Sequence, residues 1–450
     1  MSKTFFGTDG IRGQVGIEPI TPMTIVKLGW ALGTVIKKRY GRGSVLVGKD
    51  TRVSGYLLES SMEAGLSSAG MDVTMLGPLP TPAIAYLTQT ARANAGVVIS
   101  ASHNDYADNG IKFFSSKGTK ISDEIQNEIE QLMSEPMQVV SSKELGKAFR
   151  MDDAVGRYVE FCKGTIPRRM NFKGLKVALD CANGAAYQSA PIAFHELGAD
   201  THVINAQPNG FNINHECGST NIKGLQETVL KEKCDVGIAF DGDADRILMV
   251  DQHGNTVDGD QLLFVIANSL HKQDRLKGGV VGTVMSNFGM EKALKDKNIP
   301  FVRASVGDRY VMRELQSRDW VLGGESSGHI ICLDKTTTGD GLVSALQVLS
   351  QMQFMDKPLH ELASEMEMYP QKMINVKLPT GSNAKELCEL ELVQNAVQAA
   401  EKTLSETGRV LLRPSGTEPV IRVMVEGQDE SLVNDCCESI SSVVREALNS

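Results

Sequence analysis

Apolar residues recur at helical spacing through "ITPMTIVKLGWALGTVIKKRY", where Ile25, Leu28, Leu32, Val35 and Ile36 share one face. Thr21 stands as the N-cap and Pro22 at the first helical position, so a helix is predicted to start there. After it come "SVLVGKD", a buried strand; "YLLESSMEAGLSSAG", a helix stopped by Gly70; then "DVTMLG" and "AGVVISAS", two more strands. This alternation is βαβ rhythm and predicts a mostly parallel sheet. A second series of the same kind runs from "LKVALDCANGAA" through "CDVGIAFDGDADR", "GDQLLFVIANSL", "GVVGTVM" and "FVRASVGDRYVM" to "WVLGGESSGHI". Beyond "EMYPQKMINVKL" the texture changes to a strand pair, "GRVLLRPSGTEPVIRVMVEG", and a closing helix, "SLVNDCCESISSVVREAL". The expected fold is therefore α/β, with about three or four domains, the last a small α+β domain from about Asn375 onward.

Four polar stretches each follow an apolar run: Ala101–Asn104, "DGDADR" (Asp241–Arg246), "GGESSGH" (Gly323–His329) and "RPSGTEP" (Arg413–Pro419). In open α/β sheets ligands bind beyond the carboxyl ends of the strands, so the simplest arrangement gathers all four about one central cleft. Asp241, Asp243 and Asp245 alternate around Gly242; three carboxylates held that close call for a hard cation, Mg²⁺ or Ca²⁺. An EF-hand loop is excluded, because Arg246 and Gln252 stand where it needs Gly and Glu. A solvated acidic turn is the competing reading. Arg413, Ser415, Gly416 and Thr417, with Arg422 a few residues on, supply the donors of a phosphate cradle, or else an ordinary turn. Glu325, Ser326, Ser327 and His329, set between glycines, suit hydrogen bonding to a sugar. Arg12 lies in the Gly-flanked "FGTDGIRG".

Ser102 is a strand-end serine whose nearest base, His103, is adjacent in sequence. On an extended chain the two side chains point to opposite faces, so a hydrolase-type pair is not expected. A metal, a phosphate cradle and a sugar loop around such a serine point instead to a phosphate carrier. Lys112, in "NGIKFF", is then the acid/base or phosphate-steadying group, or alternatively a surface lysine.

Composition narrows the partners. The chain has 450 residues, 55 acidic against 46 basic, a net charge of −9, and 41% hydrophobic with 5% aromatic content. That balance argues against nucleic-acid and membrane partners and leaves anionic ligands to local Arg and Lys. "MSKTFFGTDGIRG" lacks the apolar segment of a signal peptide, no apolar run is long enough to span a bilayer, and a cytoplasmic protein is expected. The eight cysteines show no C-x-x-C spacing and are expected to be reduced and mostly buried.

"FGTDGIRG", "SASHN", "NGIKFF", "DGDADR", "GGESSGH" and "RPSGTEP", in that order, resemble the α-D-phosphohexomutases over essentially the whole chain. The resemblance implies three related α/β domains with mixed, mostly parallel sheets over 1–165, 166–258 and 259–370 and a smaller α+β domain over 375–450, around one central cleft; it implies that Ser102 is phosphorylated, and that Asp241, Asp243, Asp245 and the Ser102 phosphate hold one Mg²⁺. It implies that Glu325 and Ser327 contact sugar hydroxyls, and that Arg413, Ser415, Gly416 and Thr417 grip a distal phosphate. Ser102, Lys112, Arg12 and His329 form the expected catalytic set; Arg246, Ser326 and Arg422 join the substrate contacts. The implied activity interconverts glucosamine 6-phosphate and glucosamine 1-phosphate through a bound 1,6-bisphosphate, with glucosamine or glucose 1,6-bisphosphate as activator, and feeds UDP-N-acetylglucosamine and cell-wall precursor synthesis. Ser326 stands where glucose and mannose mutases of the family commonly carry methionine. Alternatives are the same chemistry on glucose or mannose phosphates, a non-catalytic phosphosugar-binding protein, and a metal-dependent phosphatase using Ser102. The partner expected is a small phosphosugar, with a homodimer left open. In one departure, Asp105 replaces the proline of the usual S-H-N-P, which should loosen the loop and add a carboxylate near the serine.

Overall fold

The computed structural model of the chain describes residues 5–7, 9–379, 383–415 and 419–449. Contacts divide it into two compact bodies, Met1–Thr283 with Ala304–Ala363, and Val284–Arg303 with Ser364–Ser450.

In the first body the predicted helix forms over Pro22–Tyr40, with the Thr21 side chain accepting from Thr24 N, and all five residues of the apolar stripe are buried. The next helix, Ser54–Ser68, ends just before Gly70, whose φ of 89° lets the chain turn where a side chain would be strained. These helices pack beside a six-stranded sheet of order Ile11–Gln14, Asp108–Ser115, Ala95–Ile99, Ser44–Lys49, Asp72–Pro78, Ala148–Arg150. Its three central strands are parallel, whereas Asp108–Ser115 returns antiparallel beside Ala95–Ile99. A second sheet has the order Thr256–Val257, Ile247–Asp251, Val236–Phe240, Lys176–Asp180, Asp200–Ile204, again part parallel and part antiparallel. In a third, Val280–Thr283 runs parallel to Leu322–Gly324, which pairs antiparallel with Ile330–Cys332. Mixed sheets result because strands that follow a metal-loop or serine-loop turn fold straight back on their predecessors.

The second body holds a three-stranded antiparallel sheet, Gln371–Lys377, Val420–Gly427, Gly408–Pro414, with Gln371–Lys377 spanning the boundary expected at 375. The helices Glu391–Leu404 and Glu430–Asn449 supply its core with Val393, Val397, Leu404, Val433 and Ile440 against Ile421, Val423 and Val425. All eight cysteines are buried as free thiols. No helix among the described residues is long and apolar enough to cross a membrane.

Candidate active site

The fully buried strand Ala95–Ile99 delivers the chain to Ser100, whose hydroxyl donates to Asp50 Oδ2 at 2.6 Å and accepts from Ser102 N at 2.9 Å. Ser102 is 1% exposed and has φ of 54°, in the left-handed region. Its hydroxyl donates to Asp241 Oδ2 at 2.7 Å. The left-handed turn also corrects the expectation for His103: the chain is not extended here, and His103 Nδ1 lies 3.3 Å from Ser102 Oγ. Burial lowers the His103 pKa, and the charges of Arg246 and Arg12 lower it further. The serine's proton is directed to the carboxylate.

The strand Val236–Phe240 runs into Asp241, so the metal-type loop opens at a strand end beside the serine loop. Gly242 is required by that approach, because a Cβ there would sit 2.5 Å from Ser102 O. Asp241, Asp243 and Asp245 are 0%, 1% and 7% exposed, which rules out a solvated acidic turn, and their ligand atoms lie within 4.8 Å of one another. Burial and the charges of Asp245 and Asp243 raise the Asp241 pKa well above the usual carboxylate range. Burial opposes the charge on Asp243 too, but Lys112 and a hydrogen bond from Thr81 outweigh it and hold that carboxyl low. Asp243 Oδ1 and Asp245 Oδ1 are buried without a hydrogen-bond partner among the described residues. Clustered, mutually repelling oxygens of this kind fit a hard divalent cation.

Lys112 is buried, so the surface-lysine alternative fails. Its Nζ donates to Asp243 Oδ2 at 2.9 Å and Asp245 Oδ2 at 3.4 Å, and lies 3.4 Å from Asp9 Oδ2. Burial acts against its charge, but Asp243, Asp9 and Asp245 together raise its pKa above the ordinary lysine value. Asp9 also pairs with Arg12 at 2.5 Å and with Lys120, and Lys120 with Asp308 at 2.6 Å; His329 Nε2 lies 3.9 Å from Asp308. This alternating chain of charges borders a cleft of about 440 Å³ whose lining includes Asp9, Arg12, Asp245, Arg246, Glu325 and His329. Glu325 Oε1 accepts from Gly307 N at 2.9 Å, and the buried His329 Nδ1 has no hydrogen-bond partner among the described residues. Ser326 and Ser327 are not part of that lining; Ser326 is half-buried with its carbonyl taken by Gly259 N, and Ser327 is exposed.

Three of the four polar stretches thus belong to the first body. "RPSGTEP" belongs to the second. There Arg413 and Arg422 are directly opposed on neighbouring antiparallel strands, and burial together with the Arg422 charge lowers the Arg413 pKa. Two guanidinium groups placed side by side offer several N–H donors of the kind that match phosphate oxygens. Ser415 follows Arg413 and its N–H donates to Val420 O at 2.9 Å; Gly416 and Thr417 lie outside the described residues. Sequence reasoning missed Asp9, Lys120, Asp308, Thr81, Asp50 and Arg52. Of these, only Asp9 carried a signal, as a member of "FGTDGIRG".

Comparison with known proteins matches the phosphoglucomutase/phosphomannomutase family in four consecutive pieces. Its alpha/beta/alpha domain I covers residues 3–139, domain II 157–254, domain III 258–369 and the C-terminal domain 373–443. A protein of Ectopseudomonas mendocina (strain ymp) named phosphoglucosamine mutase is 56% identical over 446 residues, covering 99% of each chain. Its namesake in Pasteurella multocida (strain Pm70) is 56% identical over 443 residues, covering 98% of this chain and 99% of its own. Among solved structures, a family protein of Burkholderia thailandensis superposes with a TM-score of 0.82 at 22% identity, covering 99% and 98% of the two chains. Aspergillus fumigatus N-acetylphosphoglucosamine mutase, solved with GlcNAc-6P and magnesium, gives a TM-score of 0.68 at 17% identity, covering 99% and 96%. With every domain matched in order and relatives more than half identical along its length, the chain belongs to the phosphoglucomutase/phosphomannomutase family, the α-D-phosphohexomutases, and is an isomerase of the phosphotransferase type.

Proposed function

We propose that the chain interconverts glucosamine 6-phosphate and glucosamine 1-phosphate. The observation that carries the chemistry is the contact of Ser102 Oγ with Asp241 inside the buried three-carboxylate cluster. The amino-sugar substrate is supported by relatives named phosphoglucosamine mutase at 56% identity over nearly the full chain.

In this reading Ser102 carries a phosphoryl group, gives it to the free hydroxyl of the bound sugar monophosphate, and takes back the other phosphate from the resulting 1,6-bisphosphate. Glucosamine or glucose 1,6-bisphosphate serves as activator by charging Ser102. One Mg²⁺, held by Asp241, Asp243, Asp245 and the Ser102 phosphate, would supply charge neutralisation during transfer. Lys112, kept protonated by Asp243, Asp9 and Asp245, steadies the phosphate with a fixed positive charge. Arg12 and Arg246 line the cleft as further cations, and His329 offers its unpartnered Nδ1 to the sugar for proton transfer. Glu325 and Ser327 contact sugar hydroxyls, and Ser326 is the residue that separates glucosamine from glucose. Arg413, Ser415, Gly416 and Thr417, with Arg422, hold phosphate in the C-terminal domain, where guanidinium and hydroxyl donors match phosphate oxygens whichever carbon bears them.

A coupled isomerisation assay on glucosamine, glucose and mannose 6-phosphates with trace bisphosphate tests the reading. Glucosamine phosphate should have the highest kcat/KM, with side activity on glucose phosphate, since a pocket difference of this size is worth about 1–3 kcal/mol. Peptide mapping should find phosphate on Ser102, and Ser102→Ala should be folded and inert. Stoichiometric release of inorganic phosphate would mark a phosphatase instead.

A further inference from the structure

Arg52 follows the strand Ser44–Lys49, is 0% exposed, and of the residues assigned above to sugar or metal its guanidinium touches Ser102 through the backbone carbonyl. All five of its side-chain N–H groups are nevertheless used. Nε donates to Asp50 Oδ2 at 2.8 Å; Nη2 donates to Ser102 O at 2.9 Å and Asn104 O at 2.8 Å; Nη1 donates to Asp108 O at 3.1 Å and to Asp105 O. Four backbone carbonyls of the serine loop therefore converge on one guanidinium. Asn214 Nδ2 donates to two of the same carbonyls, Ser102 O at 2.9 Å and Asn104 O at 3.0 Å. On the other side of the serine, Asp50 Oδ2 accepts from Ser100 Oγ, which in turn accepts from Ser102 N. Both peptide groups flanking Ser102 Cα are tied to the same Asp50–Arg52 pair.

A non-glycine residue at a φ of 54° is unfavourable unless its surroundings over-determine it, and this network does so. We propose that Arg52, supported by Asp50, Ser100 and Asn214, is the positioning residue that locks the left-handed turn at Ser102 and aims its Oγ at the three-carboxylate cluster. The inference deepens the phosphoserine reading and rests on it. It also accounts for Asp105. Where the family's usual proline fixes φ covalently, here the Asp105 carbonyl is gathered by Arg52, and its exposed carboxylate accepts from Ala107 N at 3.2 Å.

Arg52→Lys keeps a cation beside Asp50, but an ammonium has three donors and no fork, and cannot hold four carbonyls in place. Expected is a fall in kcat of about 100-fold, the size that a misplacement of about 1 Å commonly causes, with KM for glucosamine 6-phosphate nearly unchanged because the cleft is untouched. Adding Asp105→Pro to Arg52→Lys should recover part of kcat by fixing φ in the chain itself. Asn214→Gly, which tolerates the native φ of 58°, should give the same split between kcat and KM at a smaller size, and decides the matter if Arg52→Lys does not fold. Wild-type kcat in Arg52→Lys or, where that variant does not fold, in Asn214→Gly overturns the inference, as does a loss that merely follows the unfolded fraction measured by circular dichroism. Intact mass separates the two levels: wild-type enzyme without phosphate on Ser102 sinks the phosphoserine reading itself. Phosphorylated wild type together with undiminished transfer in the folded variants sinks only the role of Arg52.

Discussion

Lys112 illustrates how a residue's surroundings decide its chemistry. On a strand it could have faced solvent, yet three carboxylates and full burial fix it as a permanent cation. Removing one member of the cluster should therefore disturb function more than folding. For Asp241→Asn we expect turnover to fall about 100-fold or more, while the melting temperature changes little, because the carboxylate lost also relieves repulsion with Asp245 and Asp243. Titrating Mg²⁺ against rate, with melting curves alongside, checks both halves; full activity in excess chelator would count against the metal. At this scale Ser102 and the aspartates were legible in the sequence because apolar runs point straight at them. The neighbourly position of His103 was not, since a single left-handed φ at Ser102 reverses where the next side chain goes. Nor were Asp9, Lys120 and Asp308, whose pairing depends on segments far apart in the chain.

The helix start at Thr21 was readable in the sequence, and another helix start, not read there, carries a titratable cap. Asp340 Oδ1 accepts from Val343 N at the start of the helix Gly341–Met355 and from Tyr158 OH at 2.9 Å, while its Oδ2 is buried without a hydrogen-bond partner among the described residues. Burial pushes the carboxyl up from 3.8 to about 7, its hydrogen bonds offsetting only part. Between those values the folded chain keeps a proton that the unfolded chain releases, so this group's stabilising contribution is whole below about pH 4, declines through about pH 7, and is level above. Asp340→Asn keeps an acceptor for the cap but cannot ionise. Calorimetry from about pH 5 to about pH 8 should show the variant gaining in melting temperature relative to wild type as pH rises. The short strands were harder to foresee. Leu322–Gly324 and Ala148–Arg150 span three residues each, too few to establish a period of two, and the antiparallel returns Asp108–Ser115 and Ile247–Asp251 depend on turn geometry more than on composition.

For the molecule as a whole, a net charge of −9 sets an unfavourable mean field for a doubly charged phosphate, which on the proposed reading is offset locally by the opposed pair Arg413 and Arg422. Arg413→Ala should raise KM and lower kcat by about tenfold or more in both reaction directions, because binding energy from a remote phosphate helps orient the reacting end. Rapid-quench assays should find more free bisphosphate per turnover. Unaltered KM in both directions would return "RPSGTEP" to the status of a turn. The α/β class and its smaller last domain were readable from the alternation of elements, whereas the course of each sheet's outer strands was not. The buried thiols carry one further consequence. Cys162, Cys181, Cys217, Cys234 and Cys332 belong to one body and Cys388, Cys436 and Cys437 to the other, and a thiol-specific reagent reaches the fully buried ones, such as Cys162, Cys181 and Cys437, only through a transient opening. Mass-resolved labelling is therefore a native stopwatch. The slowest-labelling cysteine in each set times the breathing of its own body, and added phosphosugar should lengthen those times without any engineered probe.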